Sequence, residues 1–138
     1  MVAYSFKRQF IEPIRSGSKR QTIRAERKRH ARIGETLQLY TGMRTKQCML
    51  IGTAVCSGVD PIEIDFVGDE IAIGARPPFC GAAALDRFAR ADGFADWKVM
   101  TGFWTEVHQA PARWCGVLIR WESLTVAPWQ CVAEATKR

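Results

Sequence analysis

The run Met49-Leu50-Ile51-Gly52-Thr53-Ala54-Val55-Cys56 carries no charge and no polar–apolar alternation. A half-buried strand alternates, and a surface helix shows a single apolar stripe. A short run that is apolar all round reads as a central strand covered on both faces. Such a strand needs partners on either side and further layers above and below it.

The flanking sequence supplies them. Strands are expected at 3–7, near 20–25 and at 36–41. In the last, Leu37, Leu39 and Thr41 face one side, with Gln38 and Tyr40 on the other. Ile62, Ile64 and Phe66 alternate, Val67-Gly68-Asp69-Glu70 turns, and Ile71 and Ile73 resume, which predicts a hairpin. Gly116-Val117-Leu118-Ile119-Arg120-Trp121 reads as another strand, with a return at 123–127. Pro13 sits where a helical turn starts and Gly17 where it stops. Leu85, Phe88 and Ala89 mark a helix over 82–91. Trp97, Met100, Thr101 and Trp104 mark a second over 96–107. Trp97, Trp104 and Trp121 read as core, and Trp114 and Trp129 as rim residues. Strands, two helices and strands again predict one α+β domain over residues 1–138, a small curled sheet or barrel, with 131–138 as a tail.

Charge is uneven along the chain. Residues 1–50 hold twelve Lys and Arg against three acidic residues, whereas residues 51–138 hold eight against eleven. The densest part is 15–32: Arg15, Lys19, Arg20, Arg24, Arg27, Lys28, Arg29 and Arg32 face Glu26 alone. Clustered cations repel unless they are solvated or matched by an anionic partner. Single-stranded RNA or a ribonucleotide fits such a cluster, and a membrane surface does not, because the run lacks an amphipathic pattern. The apolar runs are too short to span a membrane, and no apolar stretch follows Lys7 and Arg8 as a signal peptide would require.

The cysteines are Cys48, Cys56, Cys80, Cys115 and Cys131, odd in number and without CxxC spacing. His30 and His108 do not stand near them at zinc-finger spacing. A reduced, cytoplasmic compartment is expected, with Cys48, Cys56 and Cys115 as core packing and no structural metal. No cofactor is expected. Asp60, Glu63 and Asp65 could hold a divalent ion weakly, and they read as ordinary strand and turn residues.

The segment richest in chemistry is Gly17-Ser18-Lys19-Arg20-Gln21-Thr22-Ile23-Arg24. In a strand, side chains two apart share a face, so Arg20, Thr22 and Arg24 are expected to form one donor array for phosphate or a base edge. The lysine at the turn reaches into the same space. Leu85, Phe88, Ala89 and Asp92 fall at i, i+3, i+4 and i+7, which places the Asp92 carboxylate on an inward stripe. A buried Asp needs a cation, and Lys19 or Arg24 would serve. A second cluster holds Tyr40, Arg44 and Lys46 around Gly42. There the tyrosine would stack a base and the cations would hold its phosphate. His30 reads as a surface phosphate contact and His108 as a cation favourable at a helix C-terminus.

The Gly-x-Lys-x-x-Thr-x-Arg pattern, followed by Ile33-Gly34-Glu35, resembles the ASCH domain. The likeness runs on through Leu39-Tyr40-Thr41-Gly42-Met43-Arg44, Ala84-Leu85-Asp86-Arg87-Phe88-Ala89 with Asp92-Gly93-Phe94, and Gly116 to Trp121. It covers roughly residues 5–125. It implies a PUA-like open β-barrel of five to seven strands, with two or three flanking helices and a cleft at the barrel mouth. It also implies RNA binding, for which the clustered charge supplies Arg20, Arg24, Arg27, Lys28, Arg29 and Arg44 as expected contacts. Some members of the family deacetylate N4-acetylcytidine with a Lys, a Thr and a Glu, and the matching positions here are Lys19, Thr22 and Asp92. Asp92 is one methylene shorter than the family's Glu. Other members are RNA-degrading, which implies Tyr40, Lys46 and Ser123 as catalytic candidates. Cleavage of single-stranded RNA is the favoured activity at this stage, ahead of nucleoside amide hydrolysis and of a non-catalytic RNA-binding module.

Overall fold

The computed structural model describes residues 1–128; the expected tail, Trp129 and Cys131 lie outside them. Six strands form one sheet: β1 (Val2–Phe6), β2 (Gln21–Arg24), β3 (Thr36–Thr41), β4 (Met49–Asp65), β5 (Glu70–Ile73) and β6 (Arg113–Val126). The helices are α1 (Ile11–Ser16), α2 (Ala82–Ala91) and α3 (Trp97–Val107), with a 3-10 turn at Arg8–Phe10 before α1. This is an α+β domain with six strands and three α-helices, within the range the sequence predicts.

The order across the sheet is β1-β3-β4-β6-β2, with β5 on the distal half of β4. β1 runs parallel to β3, and the other pairs are antiparallel. The apolar run at 49–56 lies in the central strand, as expected. It is the first half of a 17-residue strand. β4 can serve β3, β5 and β6 because it bends: its pairing with β6 slips between Thr53 and Val55 and again between Cys56 and Gly58. Such bulges add local twist and curl a sheet toward closure. The result is an open barrel whose inward residues, among them Tyr4, Leu37, Leu39, Ile51, Ile64, Leu118 and Ile119, make the core.

The last strand departs from expectation. No return is made at 123–127; β6 continues to Val126, and Ser123 takes a left-handed φ of 56° inside a register slip opposite β4. The segment accommodates an extra residue as a bulge, where the sequence suggested a turn. α1 begins at Ile11, ahead of Pro13, and stops at Gly17. Of the described cysteines only Cys56 is buried; Cys48 is exposed in the loop before β4, and Cys115 is exposed on the outer face of β6 opposite Glu63.

α3 is fixed at its start. The Asp96 side chain accepts from Val99 N–H at 2.9 Å, a conventional N-cap. Asp86 of α2 accepts from Trp97 N–H at 2.9 Å, and Asp69 accepts from the Trp97 indole at 2.8 Å. Phe66 stacks on Trp97 and Trp104, so the hairpin tip holds α3 along its length. His30 is no phosphate contact. Its Nδ1 bonds the Tyr4 hydroxyl at 3.0 Å, its Nε2 bonds the Ala25 carbonyl at 2.8 Å, and it stacks on Tyr4. No helix among the described residues is long and apolar enough to cross a membrane.

Candidate functional site

Gly17 ends α1, and the chain then turns sharply into β2. Lys19 N–H donates to the Pro13 carbonyl at 2.9 Å, and Arg20 N–H donates to the Ala91 carbonyl at 3.1 Å. These two bonds press the loop against the end of α2 and send the Lys19 side chain inward. There its Nζ donates to the Asp92 carbonyl at 2.5 Å and lies 3.7 Å from Asp92 Oδ1. Gln21 Nε2 donates to the same Oδ1 at 3.2 Å. Phe10 and Phe6 bracket the ammonium, with ring centroids 4.7 and 5.6 Å away. Lys19 and Asp92 are only 3% and 4% exposed. Burial pushes the Lys19 pKa down, opposed by the Asp92 charge and reinforced by Arg24. Burial likewise pushes the Asp92 pKa up, opposed by Lys19, Gln21 and Arg24. Both directions favour the neutral forms of the pair.

Asp92 owes its position to α2. The stripe Leu85, Phe88, Ala89 is buried as predicted, and Asp92 continues it as the C-cap residue. Gly93 follows at φ 97° and turns the chain away. A Cβ there would stand 2.9 Å from both Lys19 Cδ and a Phe10 ring atom, so glycine lets the lysine pass.

On β2, Thr22 and Arg24 share a face, as alternation requires. Arg24 Nε donates to Thr22 Oγ1 at 2.9 Å, and Nη2 donates to the Ser5 carbonyl at 2.7 Å. The guanidinium lies over the rings of Phe6 and Tyr4. Burial lowers its pKa to about 10. Arg20 does not join this array. It precedes the strand and is exposed, and Lys19 takes the inward place.

Lys19, Thr22, Arg24 and Asp92 all line one cavity of about 370 Å³. Much of the rest of its wall is aromatic: Phe10, Phe94, Phe103, Trp104 and Trp114, with His108 beside them. Sequence reasoning placed these tryptophans in the core or at the rim and did not find the wall. Its members come from the 3-10 turn, the α2–α3 loop, α3 and β6, and no local pattern joins them. His108 packs against Phe103 and Trp104. Burial, then Lys7 and Arg24, lower its pKa, which disfavours the helix-end cation expected from the sequence.

The second predicted cluster lies outside this cavity. Tyr40 is half-buried on β3, Lys46 is exposed in the 42–48 loop, and Ser123 is exposed in the β6 bulge. No hydrogen bond joins these three residues, and none of them lines the cavity. Arg27, Lys28 and Arg44 are exposed, while Arg29 is paired with Glu35. Asp60 accepts from Arg76 and lies near Arg120, and Glu63 and Asp65 both face Arg113. Those carboxylates are therefore engaged by arginines, and no cluster of three metal-ligating side chains occurs among the described residues.

No family model matches the sequence, and no curated protein matches it. The solved structures are more informative. An ASCH structure from Zymomonas mobilis superposes with a TM-score of 0.50 over 98% of this chain and 92% of its own, at 12% identity. The fold is that of an ASCH domain. A tyrosine-to-phenylalanine variant of the Zymomonas mobilis protein matches over 98% of this chain and 95% of its own, at 11% identity and a TM-score of 0.46. Identities this low carry the fold alone. Within the ASCH fold of this chain, the cavity lies where β1 and β2, the two ends of the strand order, face each other across the open side of the barrel.

Proposed function

We propose that this cavity binds an acylated nucleoside, of which N4-acetylcytidine is the type, and hydrolyses its amide. The observation that carries this reading is the buried Lys19–Asp92 pair lining the same cavity as Thr22. A buried ion pair is a poor stabilising device, and perturbed groups at a cleft are functional candidates. The aromatic wall suits a planar base.

The residues divide the chemistry as follows. Neutral Lys19 takes the Thr22 hydroxyl proton while Oγ1 attacks the acyl carbon. The carbon–nitrogen bond breaks, and the departing amine takes a proton from the Lys19 ammonium. Water, deprotonated by Lys19, then cleaves the threonyl ester, returning the hydroxyl to Thr22 and releasing the carboxylic acid. Asp92 holds Lys19 in place through its carbonyl and carboxylate. Arg24 orients the Thr22 lone pairs. The test is chromatography of N4-acetylcytidine incubated with the protein. Cytidine and acetate should appear with the native chain and not with Lys19→Met or Thr22→Val. Intact substrate with the native chain would refute the reading.

A second reading is binding of single-stranded RNA. Exposed Arg27, Lys28, Arg44 and Lys46, which enter no ion pair among the described residues, favour it. If about five phosphates are engaged, log affinity should fall against log salt with a slope of about −3.5. A flat response would exclude a polymer. Strand cleavage by Tyr40, Lys46 and Ser123 has less support, because none of the three lines the cavity and no hydrogen bond joins them. End-labelled RNA that stays intact with the native chain would remove it.

A further inference from the structure

A second hollow, of about 720 Å³, adjoins the cavity. The two share the wall Ser5, Phe6 and Lys7 at the end of β1. The far side of the hollow is the 42–48 loop, which contributes Gly42, Thr45 and Gln47. That loop is fixed internally. Thr45 Oγ1 donates to the Gly42 carbonyl at 2.6 Å and accepts from Gln47 N–H at 3.1 Å. Gly42 has a φ of 63°, and a Cβ there would lie 2.9 Å from the Gln47 carbonyl oxygen.

The two spaces differ in chemistry. The first is walled by aromatic rings. The second shares the Phe6 ring with the first but is otherwise lined by Lys7, Arg8, hydroxyls, Gly42 and the Gln47 amide, with no acidic residue among its described lining. The Thr41 and Thr45 hydroxyls already donate to the Phe6 and Gly42 carbonyls, which leaves the two cations as its chief donors. Lys7 and Arg8 are exposed and enter no ion pair among the described residues. Lys7 lines both spaces, which places it between them.

We propose that the second hollow is a phosphate subsite for a ligand whose base fills the first, with Lys7 and Arg8 as its cations. This rests on reading the first cavity as a nucleoside site. The preferred ligand is then a nucleotide, with its sugar passing over the Ser5–Lys7 wall. The phosphate is either the terminal group of a mononucleotide or an internucleotide group of RNA. Charge-assisted bonds to phosphate strengthen binding enough to be read as a ratio.

The experiment is calorimetric titration of the full chain with cytidine, cytidine 5′-monophosphate and the dinucleotide CpC. At least one phosphate-bearing ligand should bind about ten-fold more tightly than cytidine, equivalent to roughly 1.4 kcal/mol. The advantage should shrink to about two-fold or less in Arg8→Ala and in Lys7→Ala, and should weaken with added salt. A preference for the monophosphate assigns a terminal phosphate, and a preference for CpC assigns the polymer. Equal affinities for all three ligands, an advantage that survives both substitutions, or no binding of any ligand would overturn the proposal. The same preparation assayed with N4-acetylcytidine separates the two ideas. Phosphate preference without acetate release keeps the subsite and removes the hydrolase. Acetate release without phosphate preference does the reverse.

Discussion

Arg24 donates from Nη2 to the Ser5 carbonyl at 2.7 Å, across the gap between the two terminal strands of the sheet. No strand pairing joins β1 to β2. One side chain from β2 therefore spans the seam, while its Nε holds Thr22 on the cavity wall. Arg24→Met should remove both bonds and keep most of the packing over Phe6 and Tyr4. Hydrogen bonds to charged groups contribute about 1.5–3 kcal/mol each, so a net loss of about 2 kcal/mol is expected. In a chain of this size that lowers Tm by about 6 °C. Hydrogen exchange should rise first in β1 and β2. An unchanged Tm would mean that the seam is held by packing alone.

Lys19 and Asp92 make a buried pair, so the two substitutions should not add. Lys19→Met leaves the buried Asp92 carboxyl without its amine partner, and Asp92→Asn leaves the buried Lys19 amine without its carboxyl partner while keeping an acceptor for Gln21. Each single change should cost up to about 3 kcal/mol, and the double variant should lose at least about 1 kcal/mol less than their sum. Urea unfolding of the four proteins decides this. The pair also sets a pH dependence. Turnover needs neutral Lys19, so kcat/KM should rise with pH through a lysine pKa that burial has lowered. The Asp92 charge raises that pKa, so in Asp92→Asn the limb should move to lower pH. A shift the other way would show that Lys19 is not the titrating base.

Much of the sheet was legible because its signals are local. Leu37, Leu39 and Thr41 alternate, the Val67–Glu70 turn is bounded by isoleucines, and the α2 stripe extends one turn to Asp92. Legibility ended where a position depends on residues far apart in sequence. Arg20 was expected beside Thr22 and Arg24. Its N–H instead bonds Ala91, 71 residues on, and that contact turns Lys19 inward before β2 begins. His30 looked like part of a basic surface until Tyr4 engaged its ring. The Ser123 bulge carries no glycine or turn dipeptide to announce it. Lys7 and Arg8 entered the sequence reading only in the argument against a signal peptide, because the hollow they line is completed by a loop some 35 residues later.

Gly93 tests how tightly the site is built. Gly93→Ala meets two obstacles: a φ of 97° that side chains rarely adopt, and contacts at 2.9 Å with Lys19 Cδ and Phe10. Strain of this kind costs about 1–3 kcal/mol. The lysine stem is the more yielding partner, so Nζ should be displaced from the Asp92 carbonyl. The expected result is a lower Tm together with a fall in kcat larger than the change in cytidine affinity. Full turnover in a destabilised protein would show that Lys19 tolerates the shift.

Glu35 anchors the basic 25–35 loop to the start of β1. Its carboxylate accepts from the N-terminal ammonium at 2.9 Å, from Arg32 N–H at 3.0 Å and from Arg29. The first of these does most to lower its pKa, from 4.5 to about 2, with the Arg32 N–H and then Arg29 adding to it. A carboxyl depressed in the folded state stabilises the protein fully above its unfolded pKa, and that stabilisation is lost as pH falls through the folded value. The native chain should therefore outlast Glu35→Gln by a roughly constant margin between about pH 5 and pH 7. The margin should shrink between pH 4.5 and pH 2 and then vanish. Thermal melts of both proteins across that range give the curve. A margin independent of pH would mean that the carboxylate charge does not hold the loop, and that the glutamine amide replaces it by hydrogen bonding alone.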